Sequence, residues 1–445
     1  MQEFTIVDSI SSYINFDEKI DSEITITGMV QNSRVTGWGG FIIIRTPNNN
    51  IQCVLDRNTL NIEPEAIKVE AAIKITGIVK SATIKDISIV PRNIEIHVKT
   101  VEILSSPSEN PLPVDTTKKE LNINLNTNFD KRPLTLRHPR QRAIFRISST
   151  IFNEFGNFLT TNGFTRICSP KIVKTGAEGG ANIFKLDYFE TNAYLAQSPQ
   201  FYKQIMIGTF GRVFEEAPVF RAEKHDTSRH LNEYISLDLE MILENGFTDL
   251  IQVETKLLKH IFSKLNELCS NELELLGVTV PDIEKIVTIK FDDVHDIIFK
   301  EFNKDYRGEK DLAPEEESLI CGYAKKNWDT ELLFVTHFPT VKRPFYTMDD
   351  PDDEGKTLSF DLLFRGMEIT TGGQRLNVYD DYLKKMKSFG LNTELFDSYL
   401  QSFRYGMPPH GGLGLGLERL TALICGLSNV KEASLFPRDI NRLEP

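Results

Sequence analysis

The chain has 445 residues, 40% apolar and 26% charged, an ordinary soluble composition with room for two or three domains and a large core. No run of about 18 apolar residues occurs, and the opening MQEFTIVDSI lacks the basic start and apolar core of an export signal, so neither a membrane span nor secretion is expected. A net charge of −12 argues against a protein that coats nucleic acid broadly and confines any RNA contact to a local patch. The five cysteines are odd in number, far apart and without CxxC spacing, so neither a disulfide framework nor a structural zinc is indicated and a reducing, cytoplasmic compartment is expected.

In chain order, residues 20 to 104 carry five β-branched runs, ITITGMVQ, GGFIIIR, IQCVLD, AAIKITGIV and ISIVPRNIEIHV, separated by turn formers such as TPNNN. Five strands in so short a span predict a small barrel, and the OB-fold is the one that binds oligonucleotides on its open face. On pattern alone, Phe41 reads as barrel core. Residues 105–138, rich in Pro, Ser and Asn and without a sustained period, predict a linker or hinge. A basic segment follows: Lys131, Arg132, Arg137, Arg140, Arg142 and Arg146, with no acid among them. RNA contact and a junction whose arginines pair with acids elsewhere are equally good readings. From residue 139 onward the pattern predicts one large α+β unit, with a helix over 141–162 stopped by Gly163 and a second, scaffolding helix over 247–268. The acid run DDPDDEG at 349–355 fits no calcium loop and reads as a solvated turn.

Two stretches carry the chemistry. In APVFRAEKHDTSRHLNEYISLDLEM (217–241), a short strand ends in Arg221. The return strand alternates Ile235, Leu237, Leu239 and Met241 with Ser236, Asp238 and Glu240, the period of a half-buried antiparallel strand. The loop between them holds Arg221, Glu223, Lys224, His225, Arg229 and His230, a density of cations and donors that suits a polyphosphate. Taken alone, the loop fits a solvated charged hairpin equally well. Further on, HGGLGLGLERL (410–420) runs glycines into an apolar helix that starts with Glu418 and Arg419, where helix N-terminus and arginine both attract anions. No GxxxxGK[ST] occurs, and a GLGLG turn at the end of the chain suits no dinucleotide fold.

Together these stretches resemble motifs 2 and 3 of the class II aminoacyl-tRNA synthetases, in the family's order, and GFTRICSPKIV, with Pro170, resembles motif 1. The resemblance continues through EGGANIF, AQSPQFYKQ, RPFYTM and LFPRD, covers nearly the whole chain, and is nearest to aspartyl-tRNA synthetases of archaeal and eukaryotic type. It implies an α+β protein: an OB-fold anticodon-binding domain at 1–104, a hinge at 105–138, and at 139–445 a catalytic domain built on an antiparallel sheet flanked by helices. It also implies a cytoplasmic homodimer acting on ATP, magnesium, L-aspartate and tRNA(Asp), with tRNA(Asn) open as a second acceptor.

Residue by residue, the resemblance implies that Arg221 and Arg419 are catalytic. Ala222, Glu223, Arg229, His230 and Leu231 would border ATP from motif 2, and Gly416, Leu417 and Glu418 from motif 3. Gln200 would hold the backbone end of aspartate, Lys203 and Arg375 its side-chain carboxylate, and Glu178 its ammonium. Glu368, with Asp361 and Thr371, would form the metal site. Phe41 would stack on an anticodon base, with Gln52 eleven residues on. Many relatives carry an acid in the last barrel strand, where the spacing here offers Ser88. Outside the resemblance, Lys203 reads as a surface lysine and each acid as an exposed strand or loop charge. The rivals are an asparaginyl-tRNA synthetase, an aspartate-amidating ligase resembling asparagine synthetase A, and an inactive RNA-binding paralogue.

Overall fold

The structure is a computed structural model; it describes residues 16–109, 111–174, 182–285 and 287–444. The chain divides into two compact units, 1–143 and 144–445. Among the described residues no helix is long and apolar enough to cross a membrane.

In the first unit, β1 (Glu23–Thr36), β2 (Gly39–Arg45), β3 (Asn50–Asp56), β4 (Ala72–Ser81) and β5 (Ile94–Ser105) close into a barrel in the order β1-β2-β3-β5-β4. The cause is strict alternation. Ile42 and Ile44, then Ile51, Cys53 and Leu55, point inward and are fully buried, so the residues between them form the outer wall. Phe41 is therefore not core: it is 38% exposed on that wall. The last strand starts at Ile94, and Ser88 sits in the turn before it, so the last-strand acid is present after all as Glu95, which accepts from Gln52 Nε2 at 2.9 Å.

The stretch after the barrel contains helices Leu125–Asp130 and Arg132–Thr135. Much of the basic segment is spent within its own unit. Arg132 is fully buried and donates to Asn128 and Gln141, Arg137 pairs with Glu70 at 2.9 Å, and Arg142 bonds Asn50 and two carbonyls of the β2–β3 turn. In the second unit Arg146 pairs with Glu272 at 2.8 Å.

That unit is built on eight strands. They are β6 (Thr165–Arg166), β10 (Arg212–Phe220), β11 (Glu233–Ile242), β12 (Thr288–Lys290), β13 (Leu332–Thr336), β14 (Ser359–Phe364), β15 (Met367–Gln374) and β16 (His410–Gly416), in the order β12-β13-β14-β15-β16-β11-β10-β6. The interior of the sheet is antiparallel and both outermost pairings are parallel. A separate three-stranded sheet joins β7 (Ile172–Val173), β9 (Thr191–Leu195) and β8 (Lys185–Tyr188). Helices Pro139–Thr161 and Thr248–Leu268 fall where the apolar period predicts, and Ile151, Phe155, Leu257 and Ile261 pack with Leu237, Leu239, Leu413 and Leu415 in one core cluster. The other rows of β11, β15 and β16 are thereby left to form a cavity.

Candidate active site

A cavity of about 340 Å³, in the size range of small-molecule sites, is lined from β11, β15, β16, the β10–β11 loop and helix Gln200–Phe210. The four cations expected to act together, Lys203, Arg221, Arg375 and Arg419, all line it. So do Gln200, Glu368 and Thr371, and from the motif 2 loop Glu223, Arg229, His230 and Leu231. Gly416 and Glu418 line it from the motif 3 side.

The floor is a buried charge lattice. Lys203 Nζ lies 2.9 Å from Asp238 Oδ1, 3.4 Å from Glu240 Oε2 and 3.0 Å from the Leu413 carbonyl. Arg375 Nε lies 3.0 Å from Glu240 Oε1, and Nη2 donates to the Gly412 carbonyl at 2.9 Å. Burial works against the charge on Glu240, but Arg375 and Lys203 outweigh it and hold the carboxyl below its ordinary value. Two expectations change here. β11 is not half-buried, because its polar row, Asp238 and Glu240, is as buried as its apolar row. Lys203 is not a surface lysine: it is buried, with two acids of its own.

The glycines of β16 make this lattice possible. A Cβ on Gly412 would stand 2.0 Å from Glu240 Oε2 and 2.2 Å from the Leu239 carbonyl. At Gly414 it would approach Asp238 Oδ1 to 3.2 Å, whereas Gly416 has ordinary space. Sequence pattern alone missed Asp238 and Glu240, since alternation cannot tell a solvated face from a cavity floor. It also missed Arg343 and Tyr346, which line the cavity from the RPFYTM stretch.

Elsewhere on the cavity wall, Arg419 Nη1 donates to the Glu368 carbonyl at 3.0 Å and lies 3.4 Å from its carboxylate, while Thr371 donates to Glu368 Oε1 at 2.9 Å. Arg221 has a 38% exposed side chain, near Glu223 and over the Tyr234 ring. His230 lies 3.3 Å from Glu223, and burial, reinforced by Arg419, His225 and Arg221 against the pull of Glu223, holds its imidazole below the ordinary value. The loop is pinned from the C-terminal side: Lys431 pairs with Asp226 and Asp439, and Val430 N–H donates to the Ser228 carbonyl at 2.9 Å.

Other expected residues are placed differently. The Glu418 carboxyl accepts the Ile235 N–H at 3.1 Å, and burial pushes it up to about 7. Leu417 packs its side chain into the core, and Ala222 N–H donates to the Asn182 carbonyl at 2.9 Å; neither lines the cavity. Arg229 is turned onto Glu317 and the Gly366 carbonyl. Phe41 and Gln52 belong to the first unit, and Glu178 lies outside the described residues.

For a metal, Glu368 and Thr371 face the cavity. Asp361 stands across the strand pair from Thr371, but it does not line the cavity and is ion-paired to Arg343 at 2.9 Å. Burial raises it to about 7, with Glu368 adding to the rise against Arg343. Among the described residues no cluster of three or more His, Cys, Asp or Glu is placed to hold a metal ion. That donor set fits nucleotide-bound magnesium, which takes one or two carboxylates and completes its shell with phosphates and water, and fits an all-protein cage poorly.

Comparison with known proteins agrees with this geometry. Residues 124–440 match the model of class II tRNA synthetases (D, K and N), and residues 24–104 match the OB-fold nucleic acid binding domain. The aspartate–tRNA(Asp/Asn) ligase of Thermus thermophilus is 41% identical, over 96% of this chain and 97% of the relative. The aspartate–tRNA(Asp) ligase of Thermococcus kodakarensis is 36% identical, over 95% and 98%. Among solved structures, the asparaginyl-tRNA synthetase of Pyrococcus horikoshii with asparaginyl-adenylate superposes with a TM-score of 0.84 at 30% identity, covering 96% of this chain and 97% of that one. With motif 2 and motif 3 arginines on one cavity and the family model spanning most of the sequence, the chain belongs to the class II tRNA synthetases of the D, K and N group and is an aminoacyl-tRNA ligase.

Proposed function

We propose that this chain is an aspartate–tRNA ligase that activates L-aspartate with ATP and passes the aspartyl group to the 3′-end of tRNA(Asp), with tRNA(Asn) as a second acceptor. The observation that carries the reading is the sorting of four cations on one cavity. Lys203 and Arg375 are buried, while Arg221 and Arg419 are partly exposed. The first pair suits an acidic side chain and the second a triphosphate. The names of several relatives support the second tRNA.

In this mechanism Gln200 orients the backbone of aspartate, and the Glu178 carboxylate is assigned to its ammonium. The α-carboxylate attacks the α-phosphorus of a bent ATP. Arg221 takes up the negative charge that grows on that phosphorus, and Arg419 holds the outer phosphates, so pyrophosphate leaves from a preorganised site. Glu223, Arg229, His230 and Leu231 border the nucleotide, joined by Gly416 and Glu418. A bound magnesium would neutralise phosphate charge, held by Glu368 and Thr371 with Asp361 behind them. The tRNA 3′-hydroxyl then attacks the aspartyl-adenylate, and no covalent enzyme intermediate is required. The functional divisions are an anticodon-binding barrel at 1–104 with Phe41 and Gln52, a hinge at 105–138 and a catalytic domain at 139–445, in a cytoplasmic homodimer.

The test is to offer the pure protein aspartate and asparagine with tRNA(Asp) and tRNA(Asn) in separate charging assays. Aspartate on both tRNAs is expected. Asparagine charging alone would select the asparaginyl rival, and ammonia-dependent release of asparagine without tRNA would select the amidating one.

A further inference from the structure

The β1–β2 turn carries an aromatic pair that the adenylation chemistry does not use. The rings of Trp38 and Phe41 stand 5.4 Å apart at 81°, edge to face, with the two residues 50% and 38% exposed. The turn is held stiffly. Arg57 N–H donates to the Trp38 carbonyl at 3.1 Å. Gly39 and Gly40 adopt φ near +139° and +141°, where an added Cβ would meet the Leu55 carbonyl at 2.0 Å and the Arg34 carbonyl at 2.1 Å respectively. Only glycine lets this turn press so close to its neighbours, and Trp38 is thereby presented at a fixed place rather than on a loose tip.

The surrounding face has the chemistry of a single-stranded nucleic acid site. Arg34 is exposed and directly opposite Phe41 in the strand register, so both side chains share one face. Gln52, Glu95 and His97 form a hydrogen-bonded row near them, at 2.9 Å for each link. Planar rings beside an arginine and a polar row suit a base, its phosphate and its hydrogen-bonding edge. Because the two rings meet at nearly a right angle, they offer two stacking planes, enough for two successive nucleotides.

We propose that Trp38 is a second base-stacking residue, receiving the nucleotide next to the one stacked on Phe41, with Arg34 contacting the intervening phosphate. This rests on the reading of the chain as a tRNA ligase. Trp38 and Trp328 are the two tryptophans of the chain, and Trp328 lies in the second unit against Tyr323. A Trp328→Phe variant of the full-length protein therefore makes Trp38 the sole indole reporter. Titration with tRNA(Asp) transcript is expected to quench and saturate its emission. Trp38→Leu is expected to raise KM for tRNA roughly tenfold, with Trp38→Phe restoring much of the loss and aspartate-dependent pyrophosphate exchange unchanged in both. Normal charging with unaltered Trp38 emission at saturating tRNA would overturn the proposal and leave the proposed function standing. So would a Trp38→Leu variant that changes only the oligomeric state, which would mark the patch as a contact between protein copies. Failure to charge any tRNA would remove the underlying reading, and this proposal with it.

Discussion

Replacing Lys203 by methionine is the sharpest test of the charge lattice. At an effective dielectric constant of 20, the 2.9 Å and 3.4 Å contacts to Asp238 and Glu240 correspond to attractions of about 6 and about 5 kcal/mol. Desolvation cancels much of this, and removing one partner of a buried pair costs about 3–5 kcal/mol net. The loss falls mainly on Asp238, because Glu240 keeps Arg375. Thermal unfolding of Lys203→Met should therefore shift down by about 5–10 °C. Adding Asp238→Asn should return part of that shift, since the uncompensated carboxylate disappears. Activity should not return: loss of a buried charged partner for the substrate carboxylate costs about 2–5 kcal/mol, roughly thirty- to several-thousand-fold in kcat/KM for aspartate-dependent pyrophosphate exchange. A Lys203→Met protein that melts within a degree of the parent and exchanges normally with aspartate would refute the reasoning, as would full rescue of activity by the second substitution.

Other outcomes follow from the same geometry. Arg221→Ala, at a partly exposed side chain, should leave the melting curve nearly unmoved while lowering kcat of exchange by about 10²–10³; near-normal exchange would remove Arg221 from the chemistry. Gly412→Ala should destabilise the second unit and abolish exchange, because its Cβ has no space between Glu240 and the Leu239 carbonyl. Phe41→Ala should raise KM for tRNA while leaving adenylate formation untouched. The Glu254 carboxyl is fully buried, and burial pushes it up to about 8, with Asp361 adding to the rise and the Thr370 hydroxyl opposing it. A raised acid holds its proton in the folded state after the unfolded state has lost it, so it costs stability increasingly from about pH 4.5 to pH 8 and not further. Glu254→Gln should thus melt higher than the parent at pH 8 and show little difference at pH 4.5; a gap that does not widen with pH would contradict this.

The elements that sequence made legible are those with a single dominant constraint. The return strand of motif 2 and the helices over 139–161 and 248–268 each bury one apolar row against one core, and their periods appear undisturbed. The convergence of residues 203, 221, 375 and 419 came from motif order, since spacing along the chain carries no distance in space. What stayed hidden was polar and buried. Asp238 and Glu240 alternate like a solvated face because a cavity floor and a surface impose the same period. The acid of the last barrel strand was misplaced at Ser88 because ISIVPRNIEIHV reads as one β run, whereas the backbone turns before Ile94. The helices within 125–135 begin in an Asn-rich stretch whose composition resembles a linker, although Asn124 caps the first of them through Thr127 N–H.

The central claim is that this cavity activates an acidic amino acid. ATP–pyrophosphate exchange by the purified chain with aspartate and with asparagine, each in the absence of tRNA, tests it most directly. Exchange that depends on aspartate and is at background with asparagine is the predicted result; exchange with asparagine and none with aspartate would contradict it.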